Sequence, residues 1–236
     1  MSENHNLIIN GSGSYGGGFF DKVVIRGDGT VTSDFECEEF KVFGSSDILK
    51  NGTAKKFAIF GETDIHENLH ADEVKILGNA TVAGSAVCKR LKLMGALEVG
   101  NTLSGEEAHI KGSLSVKGDA EFERFVSNGA FEISGLLNAG IIEINPRFAT
   151  SSAEEIGGDR IIVKRKTSLF TLFAGEGSLE AKIIEGDEIY LENTKAEVVR
   201  GKSVTIGAGC EIGRVEYEDY FHAEKKAVVK EQVKVD

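Results

Sequence analysis

Glycine recurs at every seventeenth residue of the chain, seven times in succession, and a β-branched aliphatic residue follows each glycine four positions later. The glycines are Gly27, Gly44, Gly61, Gly78, Gly95, Gly112 and Gly129. The aliphatic residues are Val31, Ile48, Ile65, Val82, Val99, Val116 and Ile133. A unit this short cannot bury its own apolar face, so successive copies must stack on one another. The repeat therefore predicts a solenoid.

Further columns are apolar when the chain is aligned in rows of seventeen from Gly27. The column thirteen residues after the glycine reads Phe40, Phe57, Val74, Leu91, Ala108, Phe125 and Ile142. Within a row, apolar positions lie mostly two residues apart, which is typical of strands with one buried face, and a change of phase marks a corner. These rows predict an all-β fold, a single-stranded right-handed parallel β-helix with about seventeen residues per rung.

The glycine column itself marks another corner of the predicted coil. Glycine is required there either for a positive φ or for a close approach of backbone to backbone. The columns that face outward contain charged residues that alternate in sign. One reads Glu39, Lys56, Glu73, Arg90, Glu107 and Arg124, and its neighbour begins with Glu38, Lys55, Asp72 and Lys89. A slip of one rung would bring like charges together, so we expect these columns to fix the register of the rungs.

The regular repeat ends at Pro146, the single proline of the chain. We therefore expect three segments: residues 1–20 as a Gly-rich N-terminal arm, residues 21–146 as a regular β-helix of about seven rungs, and residues 147–236 as an irregular β-helical continuation or a cap. Strand-like segments recur in the tail at a spacing of about fifteen residues, for example from Ile189 to Val204.

Charge and cysteine content restrict the classes of function and the compartment. The net charge of −11 argues against nucleic acid as a partner, because phosphate binding needs clustered Lys and Arg. The three cysteines, Cys37, Cys88 and Cys210, form no CxxC motif, and Cys37 and Cys88 would lie about 14 Å apart in the coil, too far for a disulfide. The apolar run Leu7–Ile9 is too short to cross a bilayer. We expect a reducing, cytoplasmic location.

Two motifs could hold a cofactor or a metal, and both are incomplete. Gly11, Gly13 and Gly16 match G-x-G-x-x-G, but a strand-like segment follows them where a dinucleotide site needs a helix. His66 and His70 flank Glu67, and no third ligand of suitable geometry accompanies them. We therefore predict no cofactor and no metal, and interpret both histidines as surface residues.

Three further motifs bear on enzymatic or surface-binding alternatives. Residues 206–213 resemble one step of the hexapeptide repeat of β-helix acyltransferases, which need many such steps. Asp47 and Asp64 share an outward column, as paired carboxylates do in polysaccharide-acting β-helix enzymes, but the same column also contains threonine and serine. Lys164, Arg165 and Lys166 could meet acidic lipid or a partner, and are interpreted as a solvated edge.

The rungs resemble those of the bactofilins, a family of polymer-forming bacterial cytoskeletal proteins. The resemblance rests on residues 35–44 and 70–78 with the polar turns between such segments, and it covers about residues 21–146. The tail, residues 184–196 and 204–213, is similar to longer members from Gram-positive spore-formers. The resemblance to bactofilins implies a β-helix that polymerises end to end without nucleotide and that organises cell-wall enzymes, cell shape, appendages or motility. The partners that it implies are further copies of the chain and cell-envelope or motility proteins.

This chain departs from the commonest form of that family, because it is long, lacks Pro-rich tails and has only a minimal apolar N-terminus. These departures argue against direct membrane anchoring, and leave the inner face of the cell membrane as an alternative location. They also allow the tail to act as a cap. A non-polymerising β-helical binding or assembly factor therefore stays open as a second function, and an acyltransferase or polysaccharide-acting enzyme as a third.

Polymerisation would use the terminal rungs, because a β-helix has two open ends with unpaired backbone groups. At one end the sequence predicts an interface formed by Val23, Ile25 and Val31. At the other end it predicts either Phe131, Ile133 and Ile142 or, if the tail continues the coil, Tyr217, Tyr220 and Phe221. No catalytic residues are predicted, because no set of nucleophile, base and orienting group is visible.

Overall fold

The computed structural model describes residues 5–147, 149–165 and 177–235, and these residues form strands and turns without a helix. The chain divides into two compact units, Met1–Gly118 and Asp119–Asp236. In both, parallel strands stack as a β-solenoid, with about 13 turns in all and roughly 17 residues per turn. The all-β parallel solenoid predicted from the repeat is thereby confirmed.

The described residues of the first unit, 5–118, contain fourteen strands, in which strands of eight and of four residues alternate after the first turn. They are β1 Asn6–Ile9, β2 Ser12–Tyr15, β3 Gly18–Ile25, β4 Asp28–Val31, β5 Phe35–Val42, β6 Ser45–Ile48, β7 Gly52–Ile59, β8 Glu62–Ile65, β9 Leu69–Ile76, β10 Asn79–Val82, β11 Ala86–Leu93, β12 Ala96–Val99, β13 Leu103–Ile110 and β14 Ser113–Val116. Each strand pairs with the second strand before it, so two strands and their corners make one turn.

The second unit begins with β15 Ala120–Ser127 and continues with longer strands: β16 Ala130–Ile144, β17 Ser151–Val163, β18 Leu179–Leu191, β19 Thr194–Ile206, β20 Glu211–Ala223 and β21 Val228–Lys234. From β16 onward each strand pairs with the next one along the chain. The register there is less uniform than in the first unit. Ile189 pairs with Val204, fifteen residues on, whereas Ser151 pairs with Leu179.

Residues 6–15, which belong to the segment expected to form an arm, are part of the solenoid. Ile9 of β1 pairs in parallel with Ile25 of β3, and Tyr15 of β2 pairs with Val31 of β4. Residues 6–15 therefore make a turn that precedes the row beginning at Gly27. The seventeen-residue alignment starts at that row and does not include this turn. Pro146, where the sequence repeat ends, lies inside the second unit, and β17 to β21 continue the stacking beyond it.

The glycine column is explained by close stacking of the backbone. A Cβ atom added at Gly61 would lie 1.9 Å from the carbonyl oxygen of Gly44, and one added at Gly95 would lie 1.8 Å from that of Gly78. No side chain fits such a gap. Positive φ values occur elsewhere, at Gly11, Gly18 and Gly209 among the glycines. Of the two reasons that the sequence offered for these glycines, close approach is therefore the one that applies.

The core of each unit is the space enclosed by its turns. The aliphatic column four residues after the glycines is buried throughout, from Val31 and Ile48 in the first unit to Ile133 in the second. Phe40 and Phe57 stack with their ring centroids 4.8 Å apart, which is the spacing of adjacent turns. Burial of each such side chain contributes about 2–3 kcal/mol relative to leaving it exposed.

A ladder of polar side chains holds the corners that precede β7, β9 and β11. The backbone and side-chain nitrogens of Asn51 donate to Asp34 Oδ1 at 2.9 and 3.0 Å. Those of Asn68 donate to Asn51 Oδ1 at 3.1 and 3.0 Å, and the Ser85 N–H donates to Asn68 Oδ1 at 2.8 Å. Each amide thus satisfies corner groups of the next turn, which the strands leave unpaired.

The outward charge columns have the predicted register. In the first unit Glu39 is opposite Lys22 and Lys56, and Arg90 is opposite Glu73 and Glu107. The ions associate in pairs: Lys22 Nζ lies 2.7 Å from Glu39 Oε2, and Arg90 hydrogen-bonds Glu73. In the neighbouring column Lys55 contacts Glu38 at 2.7 Å and Lys89 contacts Asp72 at 2.8 Å.

The three cysteine thiols are free and buried. Removal from water raises the pKa of Cys88 to about 12. Burial, assisted by the charges of Glu38 and Glu36, raises the pKa of Cys37 to about 12, and burial raises the pKa of Cys210 to about 11. Since the usual pKa is 9.0, all three thiols stay protonated at neutral pH, and none is suited to act as a nucleophile.

Replacing Asn51 with alanine tests the polar corner. The variant removes the side-chain bond to Asp34 and leaves the Asn68 N–H without its acceptor, so we expect a loss of about 1–2 kcal/mol in the free energy of unfolding, measured by urea denaturation. Asn79→Ala is the control, because Asn79 is exposed and its side chain bonds to no other residue in the described part of the chain. Equal stability of the two variants would contradict this role.

Arg90→Glu tests the charge columns. The substitution places three carboxylates, at positions 73, 90 and 107, on adjacent turns, and the repulsion should lower the melting temperature. Because exposed charges are screened by salt, the decrease should be larger in dilute buffer than in 1 M NaCl, where the Debye length is about 3 Å. A decrease of the same size at both salt concentrations would show that the columns do not act through charge.

Thiol alkylation tests the burial of the cysteines. At pH 8, iodoacetamide should modify all three thiols in urea and modify the native protein far more slowly. Ser113→Cys supplies an exposed thiol as the reference for fast native reaction. The unfolded thiols ionise near pH 9.0, whereas the buried thiols stay protonated to a higher pH. The stability that thiol burial contributes is therefore intact below pH 9.0 and decreases as the pH rises toward 12. Native wild-type protein that reacts as fast as Ser113→Cys would contradict the buried placement.

Candidate interaction surfaces

An exposed row of large apolar side chains follows one corner of the first unit. It consists of Phe43, Phe60, Leu77 and Met94, which are 50%, 39%, 39% and 47% exposed, and is called the apolar row below. Each member directly precedes a glycine of the corner column, so the row runs along the stacking direction. The rings of Phe43 and Phe60 stack with centroids 4.9 Å apart. Large apolar residues gathered at one exposed place are uncommon on a soluble surface and mark interaction sites.

The backbone holds the apolar row rigidly. The Phe60 N–H donates to the Val42 carbonyl oxygen at 2.8 Å, and those of Leu77 and Met94 donate to Ile59 and Ile76 at the same distance. These bonds extend the strand ladder one residue past the end of each strand. The exposed side chains are therefore fixed at intervals of one turn, about 4.8 Å.

A second column of the same face contains lysines. Lys41, Lys75 and Lys92, called the lysine column below, each stand two residues before a member of the apolar row and so point to the same side of the strand. Lys75 and Lys92 are directly opposite each other on β9 and β11. Lys41 contacts Glu39, whereas within the described residues no carboxylate pairs with Lys75 or Lys92.

In the second unit, the final part of β20 presents an open edge. The whole of β20 pairs with β19 on one side, but β21 covers only Glu211–Tyr217 on the other. Residues 218–223 thus have no strand on that side within the described residues. Tyr220 is 54% exposed there, and Phe221 stacks on Tyr217 with centroids 5.3 Å apart. Unpaired backbone groups of this kind accept a further strand.

In the first unit, β1 and β2 present another edge, because within the described residues each pairs with a strand on one side only. Ile8 of β1 is 52% exposed and Tyr15 of β2 is 37% exposed. The Tyr15 ring folds back over Gly13, where an added Cβ would lie 3.1 Å from it.

The structure locates the residues that the sequence proposed for a polymer interface. Val23, Ile25 and Val31 are at most 1% exposed and are covered by the turn of β1 and β2. Phe131, Ile133 and Ile142, all in β16, are at most 2% exposed. These six residues lie inside the stacks and cannot form an end face, which corrects that part of the prediction.

The tail continues the coil, which is the case for which the sequence predicts an interface of Tyr217, Tyr220 and Phe221. Of its three residues, Tyr220 and Phe221 lie on the open edge of β20, whereas Tyr217 is paired with Lys234 of β21. The other terminal residues, Ile8 and Tyr15, were missed because the glycine alignment begins above them. The apolar row was also missed. Its signal is present in the sequence as the column sixteen residues after the glycines.

The structure places the motifs considered for chemistry on strands and turns. Gly11–Gly16 spans β2 and its turns, with no helix after it. His66 Nε2 lies 2.6 Å from Asp47 Oδ1, and Asp47 is paired in register with Asp64. No group of three His, Cys, Asp or Glu residues in the described chain is arranged to hold a metal.

Two further motifs of the tail are also accounted for. Residues 207–210 form the turn between β19 and β20, where Gly209 adopts a φ of 75°. The Lys164 ammonium lies 5.7 Å from the centroid of the Tyr190 ring, and the Arg165 N–H donates to Glu192 at 2.9 Å. Lys166 is outside the described residues.

Two open grooves run along the second unit, with volumes of about 690 and 560 Å³. Each groove contains an ion pair: Lys182 lies 2.6 Å from Glu154 in the first groove, and Arg200 lies 2.6 Å from Glu216 in the second. The bond from Arg200 lowers the pKa of Glu216 below its usual range. A carboxyl held ionised in this way is poorly suited to general-acid catalysis.

Among the described residues, none forms a helix of the length and hydropathy that a membrane span needs. A search of protein-family models gives no match to the chain, and no solved structure matches it.

Two curated proteins of Bacillus subtilis (strain 168) are similar to the chain. The uncharacterized protein YhbF is 48% identical over 101 residues, which make up 43% of this chain and 42% of that protein. The match thus spans less than half the length of YhbF. The uncharacterized protein YhbE is 58% identical over 231 residues, which make up 97% of this chain and 98% of that protein. With similarity of this extent over nearly the full length of both proteins, the chain belongs to the YhbE family.

Proposed function

We propose that the chain is a non-enzymatic scaffold that self-assembles through the strand edges of its solenoid without nucleotide, as the resemblance to bactofilins implies. The observation that carries the proposal is the open edge of β20. Six consecutive residues there have an unpaired backbone side within the described chain, next to the exposed Tyr220. Such an edge binds a further strand by the same parallel hydrogen bonds that join the turns.

The edge of β1 and β2 in the first unit supplies a surface of the same kind. Its residues form parallel pairs on one side, and Ile8 and Tyr15 offer apolar area beside the free backbone groups. An assembly in which one copy's β20 edge meets another copy's β1 edge is heterologous, and contacts of that type generate open filaments when they do not close into a ring. Contacts of this kind would join copies into polymers, as the resemblance implies.

The scaffold would act in the cytoplasm, and its partners would be cell-envelope or motility proteins, as the resemblance implies. The uniform turns of the first unit favour this function over catalysis, since they carry no inserted loops that would build a cleft. In the grooves of the second unit, Glu154 and Glu216 are held in ion pairs with Lys182 and Arg200. A non-polymerising binding factor is the second candidate, and the apolar row is the observation that favours it.

Tyr220→Glu tests the assembly. The edge already contains Glu218 and Asp219, and a further charge at an exposed strand edge is a common means by which proteins block strand addition. Sedimentation velocity over a series of protein concentrations, with negative-stain microscopy, should show polymers of the wild type. For the variant, the concentration needed for assembly should rise about tenfold or more, equivalent to a loss of about 1.4 kcal/mol per contact.

Val87→Glu is the matched control. Val87 is 41% exposed, as an apolar residue of β11, and β11 is paired on both sides by β9 and β13. It should assemble like the wild type, and both variants should keep the wild-type melting temperature within a few degrees. A wild type that is monomeric at every concentration, or a Tyr220→Glu variant that assembles normally, would overturn the proposal.

A further inference from the structure

The lysine column departs from the charge pattern of the strands that carry it. Two residues earlier on the same strands, Glu73 and Arg90 are opposite each other and form an ion pair. In the lysine column, Lys75 and Lys92 are opposite each other in the same two strands. Like charges directly opposite on neighbouring strands are destabilising. Charges therefore alternate in the column of Glu73 and Arg90, whereas the lysine column, beside the apolar row, places two positive charges on adjacent turns.

Positive charge also continues the apolar row itself. In the column of the row, Arg26 precedes Phe43 and Lys111 follows Met94, and both are exposed. On the far side of the corner glycines stand Ser45, Glu62, Asn79 and Ala96, so a single carboxylate adjoins the four members of the row on that side. In a chain of net charge −11, the exposed cations Arg26, Lys75, Lys92 and Lys111 thus adjoin the exposed apolar side chains.

From this juxtaposition we propose that the apolar row and the lysine column form a docking strip for an anionic lipid bilayer. Phe43, Phe60, Leu77 and Met94 enter the boundary between headgroups and acyl chains. Lys41, Lys75 and Lys92 stay at the level of the lipid phosphates, as long cationic side chains do beside buried apolar surface. The anionic headgroups relieve the repulsion between Lys75 and Lys92, with which no described carboxylate forms a close ion pair.

The size of the row favours a bilayer over a protein partner. Four side chains at intervals of about 4.8 Å make a ridge about 14 Å long. A stable protein interface buries about 800 Å² on each partner, much more than such a ridge offers, and this argues against a second copy as well. A fluid bilayer requires no shape complementarity with the side chains that enter it. A convex row at a corner enters it readily, and each nearby lysine adds attraction to an anionic surface.

The strip also fixes an orientation for the first unit. Because the row runs along the stacking direction, insertion of all four side chains lays the axis of that unit parallel to the membrane plane. The open strand edges of β1 and β2 lie across this axis and remain accessible. Membrane docking is therefore independent of the proposed self-assembly, and each can fail without the other.

Flotation of vesicles on a density gradient tests the proposal, because unbound polymers stay at the bottom while vesicle-bound protein rises. The probes are vesicles of phosphatidylcholine alone and of phosphatidylcholine with 30–40% phosphatidylglycerol. We expect binding to the anionic vesicles, weak binding to the neutral ones, and a decrease in 0.5 M NaCl. Lys75→Gln with Lys92→Gln should lower the partition coefficient about 25-fold, from about five-fold per lysine.

Removing apolar area should have an effect that salt does not change. Phe43→Gln with Leu77→Gln should abolish flotation with anionic vesicles at both salt concentrations. The matched controls alter the same chemistry on other faces of the first unit. Phe19→Gln with Val87→Gln removes two exposed apolar side chains, and Lys89→Gln with Lys117→Gln removes two exposed lysines. Both control pairs should float like the wild type, and melting temperatures verify that every variant folds.

Three results would overturn the proposal. The first is wild-type protein that does not float with anionic vesicles. The second is a loss of binding in the control pairs equal to that in the strip variants. The third is a concentration-dependent dimer that the Phe43→Gln, Leu77→Gln variant abolishes in the absence of lipid, which would assign the strip to a second copy of the chain.

Discussion

The backbone hydrogen bonds between consecutive turns are the interaction on which the rest of the structure depends. They set a spacing of about 4.8 Å at every position, and each other feature is adapted to that interval. The corner glycines have no side chain because Gly78 already lies in the path of any Cβ at Gly95. The stacked rings of Phe40 and Phe57 have the same separation. Packing, charge pairing and surface exposure are all consequences of one repeat distance.

This dependence explains which parts of the fold could be predicted from the sequence. Inward columns such as that of Val31 and Ile48 must be apolar in every turn, so seven repeats disclose them. The turn of β1 and β2 could not be found in that way, because it lacks the row of residues that defines the alignment and is recognisable only by its pairing with β3 and β4. The same holds for the tail, where turns of fifteen and more residues keep the pairing while losing the period.

The candidate surfaces were less predictable for a related reason. A residue at an end of the stack differs from an interior one only in whether a strand covers it. The identity of a residue such as Val23 or Ile142 does not show whether it is covered. The apolar row was accessible in principle, since Phe43, Phe60, Leu77 and Met94 share a column. Yet apolar columns in a solenoid are ordinarily read as core. The exposure of this one depends on the corner geometry that precedes each glycine.

The glycine corner has a consequence for how such a chain changes length in evolution. Since each corner is built against the one before it, loss or gain of one complete row, for example residues 45–61, leaves every remaining column aligned. Loss of a single residue would instead turn core positions toward water in the turn it affects. Genetic duplication of whole rows is therefore the tolerated step. The solenoid can in this way change its length by one complete turn at a time.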